Sequence, residues 1–248
     1  MFAAVTAHLA AILILVTAGL MLAAPLLYRL GLWSAITALT KVVALGLVTG
    51  ALAAVLALIS LAAGGWRIGP GTTAMLIGIV VIGIAAVLLP LRAKKIAAKT
   101  PFNDVSTDTS RAPALEALLP LRQAELPGAT GGYDAARLAA LQQRAYPDLA
   151  PLRLAVPPGD AFTRALDAAA AMGWTIVAAD PAQRRIEAYD KSLWFGFTDD
   201  IVVRLAPEGT GTRVDMRSAS RVGISDLGKN ARRIRAYFAK VKPAGSAG

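Results

Sequence analysis

Three long stretches without charged side chains occupy most of the first ninety residues. They lie near residues 8–28, 42–64 and 71–91. Each has roughly the 20 apolar residues that a helix needs to cross about 30 Å of hydrocarbon. None has the polar face of a helix at the surface of a soluble bundle. The pattern predicts three transmembrane helices within residues 1–100. The first stretch lacks the flanks of a signal peptide, so we interpret it as a retained span.

A different pattern follows residue 100, where short amphipathic and alternating segments replace the apolar runs. Residues 101–150 are rich in turn-forming residues, and we interpret them as a linker with short helices. Residues 151–242 alternate as strands and helices in the order β-α-β-β-β-β-α, and residues 243–248 are expected to be a disordered tail. The order predicts an α+β domain with an antiparallel sheet packed by helices. The predicted strands are 152–156, 174–179, 184–189, 200–205 and 212–220, and the predicted helices are 113–123, 133–145, 160–172 and 227–241.

The net charge of +10 is divided unevenly between these two parts. All 16 acidic residues follow residue 100, and seven basic residues precede it. Six of the seven flank the predicted spans on one side of the membrane, and Arg67 lies on the other side. Basic residues near span ends favour the cytoplasm, so the count predicts a cytoplasmic carboxy-terminal domain. The six are Arg29, Lys41, Arg92, Lys94, Lys95 and Lys99.

The carboxy-terminal segment is also basic, because six basic residues and no acidic residue follow Asp226. Two interpretations stay open: a solvated helix face, or contact with anionic lipid. Nucleic acid is not a predicted partner, since no set of aromatic residues for base stacking accompanies the basic ones.

Charged residues on two neighbouring predicted strands form the most informative constellation. If the strands pair as a hairpin, Arg204, Asp215 and Arg217 lie near one another on the face away from the core. A ladder of cross-strand ion pairs is one interpretation. A site for an anionic ligand is the other, because guanidinium groups bind carboxylate or phosphate in bidentate fashion. The candidate ligand-binding residues are Arg204, Asp215, Arg217, Arg221, Asp199 and Asp200.

The sequence shows no catalytic constellation. The only histidine, His8, lies in the first span, and there is no cysteine. Asp199 and Asp200 are adjacent in a predicted strand, so their side chains point to opposite faces and do not converge on one cation. We therefore predict no metal, no cofactor and no enzymatic activity. In the second span, Gly46 and Gly50 form a small-xxx-small pair that lets two helices approach closely.

Several segments after residue 100 resemble a known bacterial family. They include PFNDVSTDT, MGWTIV, FGFTDDIVVR and RVDMRSASRVGISDLGKNARRIRAY. These segments are similar to domain-of-unknown-function family 1499 (DUF1499), over roughly the last 140 residues. The resemblance implies a membrane-anchored bacterial member and carries no established activity. Some members have secretion or lipoprotein signals, which implies a periplasmic domain, opposite to the charge count. Candidate interaction residues are Asp226, Asn230, Arg233 and Trp194.

Together these patterns predict a non-enzymatic, multi-pass protein of the bacterial inner membrane. Its soluble domain is expected to serve protein interaction or to act as an accessory subunit of a membrane complex. The alternative is a binding module for a small anionic ligand or a lipid headgroup. The predicted partners are the lipid bilayer and other membrane proteins, with anionic lipid as a further candidate.

Overall fold

The computed structural model describes residues 1–242 and divides into two compact units. One unit contains Met1–Lys95 together with Leu193–Gly196. The other contains Ile96–Ser192 and the residues from Phe197 on. The tail predicted for residues 243–248 lies outside the described residues.

Three long helices dominate the first unit. Helix α1 spans Phe2–Arg29, a π-helical segment at Thr37–Val43 leads into α2 at Ala44–Ala62, and α3 spans Pro70–Lys99. All three are long and apolar enough to cross a membrane, as predicted, so the chain has the features of a multi-pass membrane protein in contact with lipid. Helix α3 continues eight residues beyond the predicted end of its span, because the alanines and lysines that follow favour helix.

Small residues allow α2 to approach its neighbours closely. Gly46 and Gly50 are buried on α2, and a Cβ atom on Gly50 would lie 3.4 Å from Thr17 Cγ2 on α1. Gly83 of α3 is tighter still, since a Cβ there would overlap the Ala54 side chain and lie 2.8 Å from the Gly50 carbonyl oxygen. The contact role predicted for Gly46 and Gly50 thus has a third member, Gly83, that the sequence pattern did not single out.

The second unit is built on a six-stranded antiparallel sheet, which confirms the predicted α+β class. The strand order is β1-β6-β5-β4-β3, and β2 pairs with another part of β6. The strands are β1 Asp104–Ser106, β2 Leu152–Leu154, β3 Thr175–Asp180, β4 Arg185–Lys191, β5 Thr198–Glu208 and β6 Gly211–Ser220. The helices are α4 Leu119–Glu125, α5 Ala135–Ala145, α6 Pro158–Ala171 and α7 Lys229–Val241.

One face of the sheet is covered by α6 and α7 and carries the apolar core. Ile201, Val203 and Met216 on this face are at most 1% exposed, as their alternation predicts. The Trp174 ring stacks on Tyr237 with centroids 4.9 Å apart. Burial of these side chains is the main force that holds the two helices on the sheet.

The opposite face of the sheet is covered as well, which corrects the linker interpretation of residues 101–150. Residues 104–106 form the strand β1, which pairs with β6 and precedes the predicted first strand. Residues 113–132, including α4, lie over the face that the sequence pattern assigned away from the core. Leu115 and Leu118 pack there on Val202.

The covering segment is attached by polar groups as well as apolar ones. Glu187 of β4 is 1% exposed and accepts hydrogen bonds from the backbone N–H groups of Glu116 and Leu118, at 3.1 and 2.9 Å. Three prolines and three glycines interrupt this segment, so its apolar residues show no continuous period. For this reason its composition resembles that of a linker.

Candidate functional site

Arg217 lies at the centre of the covered face and has all its partners inside the domain. It is 2% exposed. Its Nε and Nη2 atoms donate to the two carboxylate oxygens of Asp104 at 2.9 and 2.8 Å. Its other hydrogen bonds go to the carbonyl oxygens of Pro113, Gly131 and Gly132, at 2.7 to 3.0 Å. Arg217 therefore ties β6 to β1 and to the covering segment, with no guanidinium edge left for a ligand.

A second cluster on this face surrounds Asp200, which is fully buried. Arg221 donates to one carboxylate oxygen at 2.6 Å, and Arg122 of α4 donates to the other at 2.8 Å. Arg221 also pairs with Glu125 at 2.7 Å. Burial acts to lower the pKa of Arg221, but the hydrogen bond and charge of Asp200, with Glu125, raise it above the usual value. This cluster fastens α4 to the sheet.

The third cluster contains the predicted pair of Arg204 and Asp215, whose side chains are 2.9 Å apart across the hairpin. Arg213 also donates to Asp215, at 3.0 Å, and reaches Asp108 at 2.8 Å. Burial acts to raise the pKa of Asp108, yet hydrogen bonds from Ser110 and the charge of Arg213 hold it below its usual range. About a third of the Arg204 side chain is exposed. The geometry here is that of the ion-pair ladder.

Asp199 points to the other face of the sheet, opposite to Asp200, as their adjacent positions predict. Its carboxylate accepts from Arg233 at 2.6 Å and from Lys229 at 2.8 Å, both on α7. Asn230 is fully buried and accepts from the Ser218 hydroxyl at 2.7 Å. Asn230 and Arg233 are therefore held inside the domain rather than on its surface.

Asp226 and Trp194, the other two candidate interaction residues, lie in different units. Asp226 accepts hydrogen bonds from the backbone N–H groups of Gly228 and Asn230, at 2.9 and 2.6 Å, and so caps α7. Burial raises its pKa above the usual value. Trp194 belongs to Leu193–Gly196 of the first unit and is half exposed, at 51%.

The Asp199 cluster predicts a defined pH dependence of stability. Burial acts to raise the pKa of Asp199, but the charge of Arg233 and hydrogen bonds from Lys229, Ser220 and Arg233 hold it below its usual value. A lowered native pKa stabilises the fold above the unfolded pKa of about 4, and this stabilisation is lost as pH falls through the native pKa. We expect Asp199→Asn to lower the melting temperature most at neutral pH, with a difference from wild type that shrinks below about pH 4. Thermal unfolding between neutral pH and about pH 2.5 tests this; a difference that stays constant with pH would contradict it.

A cavity of about 680 Å³ lies where the last turn of α3, the end of α5 and the start of α7 meet. We call it the basic cavity. All of its lining residues belong to the second unit. Its basic side chains are Lys99, Arg144, Arg232 and Arg235, and its main apolar side chains are Ile96, Leu141, Ala145, Tyr146 and Leu227.

Three of the four basic side chains of the basic cavity have no carboxylate partner among the described residues. Arg235 is neutralised by Asp148, with two hydrogen bonds of 2.6 and 2.8 Å. Arg232 donates only to the Leu227 carbonyl oxygen, at 3.0 Å. Lys99 and Arg144 are exposed and, within residues 1–242, make no ion pair. In this respect the basic cavity differs from the three arginine clusters on the sheet.

The hydroxyl of Tyr146 lies in the wall of the basic cavity. The oxygen is buried and has no hydrogen bond of normal geometry within the described residues. The nearby Thr100 hydroxyl donates instead to the Ile96 carbonyl oxygen, at 3.0 Å. Burial and the charge of Asp226 raise the pKa of Tyr146 above its usual value, against the opposite effects of the Thr100 hydroxyl and of Arg235 and Arg232, so the phenol stays protonated at neutral pH. Among the described residues, the phenol therefore has no acceptor at normal hydrogen-bond geometry.

Comparison with known proteins gives a family for this second unit. A family model described as "Protein of unknown function (DUF1499)" matches residues 103–241. The chain belongs to the DUF1499 family. No curated protein and no solved structure matches it significantly.

The match covers the three arginine clusters and most of the residues that line the basic cavity. It begins one residue before β1 and ends at the last residue of α7. The three arginine clusters lie wholly inside it, whereas the basic cavity also uses the last turn of α3 and the two residues after it, which precede the matched range. Among the described residues, no group of three or more His, Asp or Glu side chains is arranged to hold a metal ion.

Sequence reasoning did not find the basic cavity. In the sequence, Lys99 stands out only as a flanking charge of the third span, and no pattern distinguishes Arg144. The one available signal was the excess of basic residues after Asp226, which includes Arg232 and Arg235. The three elements that line the basic cavity are far apart in the chain, so their meeting follows only from the fold.

Proposed function

We propose that this DUF1499 protein is a non-enzymatic, membrane-anchored binding protein whose domain takes up an anionic ligand in the basic cavity. One observation carries the proposal: Lys99, Arg144 and Arg232 surround a cavity of ligand size without a carboxylate partner among the described residues. Unneutralised cations that converge on a partly apolar cavity repel one another, and an anion there relieves that repulsion.

The proposed anion site differs from the sheet arginines that the sequence pattern favoured. Arg217 and Arg221 are almost fully buried and paired, so a ligand would have to displace their internal carboxylates. Breaking a buried pair costs about 3–5 kcal/mol, more than one surface anion regains. Arg144 and Arg232 are exposed and require no such exchange.

We also propose that the domain lies on the cytoplasmic side of the membrane. The excess of basic residues beside the ends of α1 and α3 favours the cytoplasmic side for the domain, at the inner membrane of a bacterium. The basic cavity would then face the cytoplasm, where it is accessible to soluble anions and to anionic lipid.

Binding of soluble and lipid anions to the full chain tests the proposed function. The probes are inorganic phosphate, glycerol 3-phosphate and dioctanoyl phosphatidylglycerol, titrated calorimetrically into protein in a non-ionic detergent. We expect saturable binding of at least one probe, weakened about tenfold or more by Arg144→Gln with Arg232→Gln, because each charge-assisted hydrogen bond contributes about 1.5–3 kcal/mol.

The matched control is Arg164→Gln, which removes an exposed arginine on α6 outside the basic cavity. It should leave the affinity unchanged. If none of the probes binds, or if the double variant binds like wild type, the basic cavity is not an anion site.

A second candidate function, docking to another membrane protein, is favoured by two exposed apolar side chains of the first unit. Leu193 is 93% exposed and Trp194 is 51% exposed. The two residues are adjacent and lie outside the three long helices, and contiguous exposed apolar side chains are a feature of interaction surfaces. Cross-linking through a photoreactive residue at position 194 in native membranes tests this second function, and adducts with lipid alone would count against it.

A further inference from the structure

The lining of the basic cavity also indicates what kind of anion it takes. Resting on the proposed function, we infer that the ligand is an anionic phospholipid from the adjacent leaflet. Its phosphate lies among Lys99, Arg144 and Arg232, and its glycerol and first acyl methylenes lie along the apolar wall. The inference depends on depth in the membrane, on the apolar lining and on a hydrogen-bond donor without a partner.

Helix α3 supplies the argument from depth. It is 30 residues long, and its apolar part ends near residue 91. At about 1.5 Å per residue, Ile96 lies about 7 Å and Lys99 about 12 Å beyond the end of the apolar part. The headgroup layer of each leaflet is about 5–8 Å thick, so Ile96 lies at its outer edge and Lys99 about 4–7 Å beyond it, within reach of a lysine side chain. Lipid phosphates are thus among the nearest anions to this part of the basic cavity.

The apolar lining distinguishes an amphiphile from a soluble anion. Inorganic phosphate needs charged donors but no apolar wall, and a volume of about 680 Å³ exceeds what it requires. Ile96, Leu141 and Leu227 provide such a wall. Leu227 is 37% exposed and has a φ of +54°, a left-handed conformation that costs a leucine about 1–2 kcal/mol. A covering acyl chain would bury this side chain.

The Tyr146 hydroxyl provides an independent argument. A buried donor without an acceptor is unfavourable, and a lipid in the basic cavity would bring phosphate and ester oxygens to its wall. Gly228 allows the close approach, since a Cβ there would lie 3.2 Å from both Tyr146 Oη and Arg232 Nη1. The phenol oxygen and one guanidinium therefore lie close together in the wall of the basic cavity.

Three probes test the inference on the full-length protein in a non-ionic detergent, and they differ in headgroup charge and in whether they carry acyl chains. They are dioctanoyl phosphatidylglycerol, its deacylated product glycerophosphoglycerol, and zwitterionic dioctanoyl phosphatidylcholine. We expect phosphatidylglycerol to bind at least about tenfold more tightly than either of the others. Only this probe both pairs with the basic side chains and places acyl chains against the apolar side chains of the cavity.

Single substitutions then test which cavity residues contact the phosphate and which contact the acyl chains. Arg144→Gln should weaken both anionic probes, whereas Leu227→Ser should weaken phosphatidylglycerol and leave glycerophosphoglycerol unchanged. Tyr146→Phe should weaken phosphatidylglycerol about three- to tenfold without lowering the melting temperature, since the hydroxyl has no partner to lose. Melting temperatures of all variants show that each is folded.

The outcomes separate this inference from the proposed function. Equal binding of glycerophosphoglycerol and phosphatidylglycerol would overturn the lipid inference and leave the anion site in place. Equal binding of phosphatidylcholine, unaffected by Arg144→Gln, would show nonspecific lipid contact and would also overturn it. Failure of both anionic probes to bind would remove the proposed function as well.

Discussion

Replacement of Arg217 with methionine is expected to lower the melting temperature of the protein by about 10–20 °C. The variant leaves the Asp104 carboxylate without its two hydrogen bonds at 2.9 and 2.8 Å. It also removes the donors to three carbonyl groups of the covering segment. Removal of one partner of a buried ion pair costs about 3–5 kcal/mol, because the other charge stays desolvated. Tryptophan fluorescence of the full chain in detergent, recorded on heating, measures the change.

Arg153→Met is the matched control for this prediction. Arg153 of β2 also pairs with a carboxylate, Glu208 at 2.7 Å, but 68% of its side chain is exposed. An exposed pair contributes about 0–1 kcal/mol, so the melting temperature should change little. If Arg217→Met melted like wild type, the structural role that we assign to the sheet arginines would be wrong.

Gly83→Val is expected to destabilise the membrane unit by about 1–3 kcal/mol. The added side chain would overlap Ala54, and its Cβ would lie 2.8 Å from the backbone oxygen of Gly50. A backbone atom within a helix cannot move aside as a flexible side chain can, so α3 must shift away from α2. Within lipid, such a shift loses close van der Waals packing, which is a main force between helices there.

Gly78→Val is the matched control on the same helix. A Cβ at Gly78 meets no atom within 4 Å, so the substitution adds a side chain without a steric conflict. It also exchanges glycine for a residue with a slightly better helix propensity. We expect Gly83→Val alone to lower the melting temperature and to reduce the monodisperse fraction in size-exclusion chromatography. Equal behaviour of the two variants would contradict the close contact between α2 and α3.

The fold could be predicted where the sequence has a regular period. The three spans follow from apolar length alone, and the alternation in β5 and β6 places Ile201, Val203 and Met216 in the core, where they are found. The strand β1 could not be predicted in this way, because its three residues lie in a segment rich in turn-forming residues. A helix within the covering segment was predicted, but its place on the sheet could not be, because that place depends on contacts with distant residues such as Val202 and Glu187.

The candidate site could be predicted only in part, because the chain separates its members widely. The pair of Arg204 and Asp215 follows from the hairpin register. The carboxylate that neutralises Arg217 lies 113 residues away, at Asp104. A pattern of charges within one strand does not show whether each charge has a partner elsewhere. That question decides between an ion-pair network and a ligand site.

The two aspartates at the start of β5 show how the domain uses its charges. Asp199 binds α7 to one face of the sheet, and Asp200 binds α4 to the other. Their adjacent positions make this division inevitable, because successive side chains of a strand alternate. The acidic residues that form these networks neutralise the sheet arginines, and three cations of the basic cavity are left without an acidic partner among the described residues.

Native mass spectrometry of the full chain tests the central claim most directly, namely that the basic cavity binds an anionic lipid. The protein is incubated with equal amounts of phosphatidylglycerol and phosphatidylcholine and compared with two triple variants. One replaces Lys99, Arg144 and Arg232 with Gln, and the other replaces the exposed Arg111, Arg137 and Arg164 with Gln. We predict that wild type and the second variant retain one phosphatidylglycerol and that the first variant does not. Retention of phosphatidylglycerol by the first variant at the wild-type level would contradict the claim.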